Sequence, residues 1–334
     1  MEEEILKLEE LGRLKKEIIA EMHKIIIGQD DVLEKILTCL FAGGHCLLVG
    51  VPGLAKTLMV KTLSRILDLS FKRIQFTPDL MPSDITGIEV IQEDSVSLKR
   101  NLGFIPGPVF ADLVLADEIN RAPPKTQSAL LEAMQEYQVT IRGEIHRLPL
   151  PFFVIATQNP IELEGTYSLP EAQLDRFMMS IYLNYPGNDE EKKIAGMTTF
   201  DIEKDVKKLL NAEKIISFQS FIKHIPVSDH VLDYAVRLTR NTRPVDSQFS
   251  FIKDNVNWGA GPRACQYLIL AAKAKTALSG DVNVSVSDVK NVSESIFRHR
   301  LFVNFNADAT GINPVEIIKR LVKEVPEIPD GKKY

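Results

Sequence analysis

The residues best suited to chemistry begin with Gly50-Val51-Pro52-Gly53-Leu54-Ala55-Lys56-Thr57, followed by Leu58. Small residues let backbone N–H groups close around phosphate oxygens, and the start of a helix adds partial positive charge. Lys56 would reach the β- and γ-phosphates of a nucleotide, and the Thr57 hydroxyl would ligate Mg2+. A strict phosphate loop has glycine where this chain has Ala55, and an alanine methyl disfavours positive φ. Alone, the segment reads as a nucleotide site or as a chance glycine turn.

Sixty residues on, Asp112-Leu113-Val114-Leu115-Ala116-Asp117-Glu118 is an apolar strand ending in two adjacent carboxylates. Asp117 suits a Mg2+ site through a coordinated water, and Glu118 suits the polarising of an attacking water. A strand running into an acidic turn is common, but its pairing with the upstream loop favours a nucleoside triphosphatase. A third run, Phe152–Ala156, leads into Thr157-Gln158-Asn159-Pro160. An amide at the carboxyl end of a central strand lies where open α/β sheets bind ligands, so Asn159 is a candidate for the γ-phosphate and the attacking water.

Strands must hold these groups. His45–Val49, Phe71–Phe76, Asp112–Ala116, Phe152–Thr157 and Met178–Leu183 are short apolar or β-branched runs bounded by Gly, Pro or polar residues. Helical patterns at Lys56–Leu67 and Lys125–Tyr137 alternate with them, which predicts a parallel sheet covered on both faces. Glu89–Leu98 reads as an extended excursion. Gln138–Leu148, around Arg142-Gly143, reads as a hairpin outside the parallel sheet. Pro186-Gly187-Asn188 breaks the chain, and helices at Val231–Arg240 and Arg263–Leu278 follow. Two domains are expected: an α/β nucleotide-binding core over 1–185 and a helical domain over 186–334. The first carries 18 basic and 26 acidic residues, the second 22 and 19, so they differ in sign.

Composition limits the alternatives. With 334 residues, 45% hydrophobic and 25% charged, the chain has the ordinary globular balance and room for two domains. The net charge of −5 weakens nucleic acid as the main partner. Cys39, Cys46 and Cys265 form no CxxC, which argues against a disulfide scaffold or zinc module. The acidic start, Met1-Glu2-Glu3-Glu4, lacks the basic region of a secretory signal, so a cytoplasmic protein is expected. Between Lys35 and Lys56 lie twenty residues without formal charge, the length of a membrane span. Gly43, Gly44, Gly50, Pro52 and Gly53 break that run, and no transmembrane segment is expected.

At these motifs the chain resembles the AAA+ ATPases, and more closely their MoxR branch. Gly-x-Pro-Gly-x-Ala-Lys-Thr, alanine included, is the MoxR form of the loop. Asp117-Glu118-Ile119-Asn120-Arg121-Ala122-Pro123-Pro124 and Gln127–Met134 are similar to the family's second motif and its helix, and Ala156–Pro160 to its sensor 1. Leu169–Phe177 resembles the segment carrying an arginine finger, Arg176. Gly261-Pro262-Arg263-Ala264 resembles sensor 2, with glycine where the family more often shows serine. Ile26-Ile27-Gly28-Gln29 looks like the adenine-side segment, which adds Ile27 and Gly28 to the candidate site.

The resemblance implies a three-layer αβα core with a five-stranded parallel sheet, order 5-1-4-3-2, and a smaller all-α lid. The excursion and the hairpin would be the helix-2 insert and the pre-sensor hairpin, both facing a ring's pore. It implies a Mg2+-dependent ATPase assembled as a homo-oligomeric ring, a hexamer, that matures or activates other proteins, often with a von Willebrand-type partner on a separate chain. ATP would lie between subunits, with Lys56, Thr57, Asp117, Glu118 and Asn159 from one and Arg176 from the next. Arg263 would touch the γ-phosphate. Rival tasks are the motor of a metal chelatase or of a DNA-remodelling complex, and a nucleotide switch without hydrolysis. Against DNA, the pore candidates Lys99, Arg100, Arg142 and Arg147 are countered by Glu89, Glu93, Asp94 and Glu144. Against a switch, both Asp117 and Glu118 are present.

Overall fold

The computed structural model describes the backbone of residues 2–93, 100–162, 165–198 and 205–328. Asp94, Leu98 and Lys99 therefore lie outside the described residues, as do the side chains of Glu93 and Arg100.

The chain begins with α1 (Glu2–Met22) and α2 (Asp30–Ala42), then enters the sheet at β1 (Cys46–Val49). After the phosphate loop come α3 (Lys56–Ile66), β2 (Phe71–Gln75), α4 (Pro82–Thr86) and an antiparallel pair, β3 (Gly87–Glu93) with β4 (Arg100–Pro106). β5 (Leu113–Asp117) leads through a short 3-10 turn, Ile119–Arg121, into α5 (Pro124–Glu136). The hairpin β6 (Gln138–Ile141) and β7 (Glu144–Arg147) precedes β8 (Phe153–Gln158), α6 (Glu171–Leu174) and β9 (Met179–Tyr182). Beyond residue 186 lie α7 (Asn188–Thr198), α8 (Ala212–His224), α9 (Asp229–Arg240) and α10 (Ser250–Asn255). β10 (Val256–Trp258), α11 (Pro262–Ser279), α12 (Val286–Phe297), β11 (Phe302–Val303), α13 (Phe305–Ala309) and α14 (Pro314–Glu324) complete the order.

Five strands form one parallel sheet in the order β2-β5-β8-β1-β9. Counted within the sheet alone this is 5-1-4-3-2, the order implied by the resemblance. Each strand run read from sequence is present, its ends displaced by at most one residue. The central strands are apolar because helices cover both faces: Leu113 and Leu115 of β5 face one apolar cluster, Val114 and Ala116 the other. The β6–β7 hairpin lies outside this sheet, as its alternation requires. The uncharged stretch before Lys56 folds as α2, β1 and the loop, and no helix among the described residues is long and apolar enough to cross a membrane.

Two features tie the layers together. α11 packs against α1, α2, α8, α9 and α12, so the acidic amino-terminal helix rests on its own chain. That contact is close: a Cβ on Gly12 would come within 3.2 Å of the Gly280 backbone at the end of α11. His45, just before β1, is fully enclosed. Its Nδ1 accepts from Val154 N–H at 3.0 Å, which leaves Nε2–H to donate to the Met134 carbonyl at 3.1 Å. Burial pulls its pKa down to about 4, so the imidazole is neutral and structural.

Candidate nucleotide site

The loop from β1 to α3 forms a backbone cradle. Gly53 takes φ +87° and Ala55 φ +54°, so the alanine does occupy the left-handed region that its methyl disfavours. An L residue held there costs about 1–2 kcal/mol. Lys56 folds onto its own loop and donates to the carbonyls of Gly50 and Val51. Burial lowers its pKa, opposed by the charges of Asp117, Glu118 and Glu162.

A cleft of about 400 Å3 is bounded by Pro52, Gly53, Leu54, Ala55, Lys56, Thr57 and Leu58, and by Asp117, Glu118 and Asn159. The carboxyl ends of β1, β5 and β8 converge on it, because parallel neighbours put all these ends on one edge of the sheet. Thr57 Oγ1 lies 3.3 Å from Asp117 Oδ2. Thr157, fully buried on β8, donates to Asp117 Oδ1 at 2.6 Å and accepts from Glu118 N–H at 2.8 Å, fixing both acids to the neighbouring strand. Glu118 has φ +56°, a second strained backbone position. Asn159 is buried, and its Nδ2 has no partner among the described residues. A buried amide donor is costly unless something accepts from it, so an anionic oxygen or a positioned water suits this point. The hydroxyl, the carboxylate and the orphaned donor fit a Mg2+-nucleotide together.

Strand β2 contributes groups that the sequence reading missed. Arg73 donates to Asp117 Oδ2 from Nε at 2.9 Å and from Nη2 at 2.7 Å. Arg73 also donates to Gln75, which in turn donates to Glu118 Oε2 at 2.9 Å. Arg121 reaches the same Glu118 oxygen at 2.9 Å. Both acids are thus held by neighbouring side chains. The available signal was the register: Gln75 pairs with Asp117 across β2 and β5, and Arg73 lies two residues back on the same face.

Beside the cleft opens an apolar cavity of about 610 Å3, also bordered by the loop. Ile25, Ile26, Ile27, Gln29, Tyr185 and Ile194 are among its walls, a suitable environment for a flat base. Ile27 lines this cavity. Gly28 does not, but it makes the turn possible: it has φ +67°, and a Cβ there would lie 2.3 Å from Glu190 Oε1. Tyr185 and Ile194 were not anticipated, since they flank the Pro186 break, far in sequence from the loop.

The arginines lie apart from the residues that line the cleft. Arg176, between α6 and β9, has a side chain without an ion pair or hydrogen bond among the described residues. Arg263, at the start of α11, donates to Asp175 Oδ2 at 3.2 Å, next to Arg176. The structure therefore brings Arg263 to the finger segment and not to the cleft of its own chain.

The profile of the ATPase family associated with various cellular activities (AAA) matches residues 45–179, and that of the AAA lid domain matches 249–321. The chain is 42% identical over 311 residues to Chaperone MoxR1 of Mycobacterium tuberculosis, covering 92% of this chain and 80% of that one. It is 37% identical over 319 residues to the uncharacterized protein YeaC of Bacillus subtilis, covering 95% and 96%. A solved crystal structure from Cytophaga hutchinsonii superposes with a TM-score of 0.88 at 39% identity, covering 96% of each chain.

Proposed function

The chain belongs to the MoxR family of AAA+ ATPases, and from that premise we propose that it hydrolyses ATP with Mg2+ in a homo-oligomeric ring, a hexamer, to mature or activate partner proteins. The observation that carries the reading is the single cleft in which Lys56, Thr57, Asp117, Glu118 and the unpartnered Nδ2 of Asn159 converge. Bound there, Mg2+ would neutralise charge on the β- and γ-phosphate oxygens, with Thr57 Oγ1 as a ligand and Asp117 holding it through water.

The chain's own groups do the rest. Lys56 exchanges the loop carbonyls for phosphate oxygens. Glu118 exchanges Gln75 and Arg121 for the attacking water, which it orients and polarises. Asn159 Nδ2 donates to the γ-phosphate or to that water. Arg176 and Arg263, held side by side through Asp175, are offered together to the site of the adjacent subunit. A guanidinium keeps its proton and donates in pairs to phosphoryl oxygens, and one supplied from a neighbour contributes about 10³–10⁵ in rate, roughly 4–7 kcal/mol of barrier.

We place the mechanical boundary near 186, between the core over 1–185 and the lid over 186–334. The pore would be lined by the β3–β4 and β6–β7 hairpins, which touch one another through Arg142–Glu89 at 3.5 Å and the stacked rings of Phe104 and His146. A chaperone-like task accords with the name carried by the mycobacterial relative; a separate von Willebrand-type chain is the expected partner, and the cytoplasm the expected compartment.

Phosphate release from Mg·ATP, measured across protein concentrations for wild type beside Glu118→Gln, tests this reading. The specific rate should rise with concentration as rings form. The variant should bind ATP yet turn over about 10²–10⁴-fold more slowly, the usual range for losing a positioned base. Wild type that binds ATP but releases no more phosphate than the variant would make the chain a nucleotide switch or one that needs an activator.

A further inference from the structure

Residues 175–178, which carry Arg176, are bound by the helical region in an unusual way: all four consecutive carbonyls accept from its side chains. Arg300, at the end of α12, donates to the Asp175 carbonyl at 2.9 Å, the Phe177 carbonyl at 2.7 Å and the Met178 carbonyl at 3.2 Å. Tyr267 of α11 donates to the Arg176 carbonyl at 3.4 Å, and His299 Nε2 lies 3.0 Å from the Phe177 carbonyl. Arg300 also holds the Asp175 carboxylate from Nε at 2.6 Å and, from the turn after α12, returns one N–H to the Ile296 carbonyl of that helix at 2.5 Å.

A guanidinium has five N–H groups, and here each has an acceptor, four of them in the segment that flanks Arg176. The residue is only 4% exposed and lies over the Tyr267 ring at 5.2 Å. Burying a charge is costly unless it is paired and fully hydrogen-bonded, and this one is. The arrangement has a directional consequence. Arg176 itself keeps a free side chain among the described residues, while the carbonyls of its segment all have donors.

We propose that Arg300 is the positioning residue for Arg176: it fastens the backbone that carries the finger to the helical lid, so that the finger follows the lid of its own subunit. A nucleotide that displaces the lid in one subunit would then move the arginine offered to the next, which couples adjacent sites through a bistable packed element. Asp175 joins Arg263 to the same unit. This rests on the proposed role of Arg176 towards the neighbouring nucleotide.

The test uses the full chain, with Arg300→Lys and Asp175→Asn beside Arg176→Ala and the double variant Arg300→Lys/Arg176→Ala. Affinity is read with a fluorescent ATP analogue, and turnover at saturating Mg·ATP. Arg300→Lys keeps the charge but loses the fork, so turnover should fall by up to about 10²-fold, the cost of misplacing a catalytic group by an ångström. Affinity should stay within about threefold, because the phosphate loop is untouched, and the double variant should be no slower than Arg176→Ala alone. Asp175→Asn, at a partly exposed carboxylate, should show the same split in smaller degree if Arg300→Lys does not fold. Losses that multiply in the double variant, or affinity falling in step with turnover, would reduce Arg300 to a structural tie. Normal turnover in Arg300→Lys and Asp175→Asn beside a slow Arg176→Ala would overturn the latch alone. Normal turnover in Arg176→Ala would overturn the finger and the latch with it.

Discussion

The nucleotide cleft and the finger segment are built on opposite rules. In the cleft, polar groups have exchangeable partners: Lys56 its own loop, Asp117 Arg73, Glu118 Gln75 and Arg121, and Asn159 Nδ2 none among the described residues. Two of its non-glycine backbone positions, Ala55 and Glu118, sit in the left-handed region. In the finger segment three of the four backbone carbonyls accept from a buried cation and the fourth from Tyr267, and the Arg176 side chain is left over among the described residues. On the proposed reading, a site that receives a ligand keeps unsatisfied or exchangeable groups, whereas an element that delivers a side chain to another subunit is fixed everywhere else. Preorganisation is placed where it does not have to yield.

The largest expected effect bears on whether the two regions meet across an interface. Arg176→Ala should lower turnover by about 10³–10⁵-fold while leaving nucleotide binding intact, and Lys56→Ala should abolish binding and turnover together. Mixed at concentrations that assemble, the two inactive proteins should recover part of the activity, because some interfaces would pair an intact cleft with an intact finger. No recovery would mean that cleft and finger serve the same subunit, and the contrast drawn above would lose its functional meaning.

Acid should reach both regions through a buried imidazole in each. His45 stands at the start of β1, which feeds the phosphate loop, and His299 faces the Phe177 carbonyl in the finger segment. Burial lowers both, His45 to about 4 from 6.5. Between these values the unfolded chain binds a proton that the folded chain refuses. Stability is therefore full above about pH 6.5 and falls as the pH drops towards 4, by about 3 kcal/mol for His45 alone. Urea unfolding midpoints between pH 7.5 and 4.5, for wild type and His45→Gln, would check this. Gln can accept from Val154 N–H and donate to the Met134 carbonyl without titrating, so the variant should lose less stability on acidification, keeping only the His299 part. An unchanged slope would show that His45 is not what refuses the proton.

The two regions also differed in how far sequence revealed them. The cleft was legible because phosphate chemistry demands contiguous residues: Gly50–Thr57 and the Asp117-Glu118 pair each sit within a few positions of one chain. The sheet was legible because buried parallel strands leave short apolar runs, and their ends moved by one residue at most. Arg73 and Gln75 were missed because they look like the polar alternation of an edge strand; only the pairing of Gln75 with Asp117 directs them to the acids. The latch was invisible for a stronger reason. Arg300 and Asp175 are 125 residues apart, and nothing local distinguishes a buried guanidinium from a solvated one. Arg263 resembled a γ-phosphate contact by its motif, yet its place beside Asp175 is a property of packing.

The smallest effect concerns the backbone of the cleft, and there sign is more informative than size. Ala55 and Gly53 are both in the left-handed region, and a Cβ added at Gly53 would meet no atom within 4 Å. The two positions therefore isolate backbone conformation from packing. Ala55→Gly removes the left-handed cost of about 1–2 kcal/mol but frees the unfolded chain by about 0.4–1 kcal/mol, so the protein should gain up to about 1.6 kcal/mol or stay level. Gly53→Ala incurs the same two terms in reverse and should lose a similar amount. Denaturant unfolding of both variants gives the signs, and nucleotide affinity should change little in Ala55→Gly, since the cradle is made of backbone N–H groups. A clear loss of stability or affinity in Ala55→Gly would mean that the methyl, which borders both the phosphate cleft and the apolar cavity, is a contact in its own right. The alanine would then be a chosen wall of the site, and the strain at Ala55 would follow from that choice.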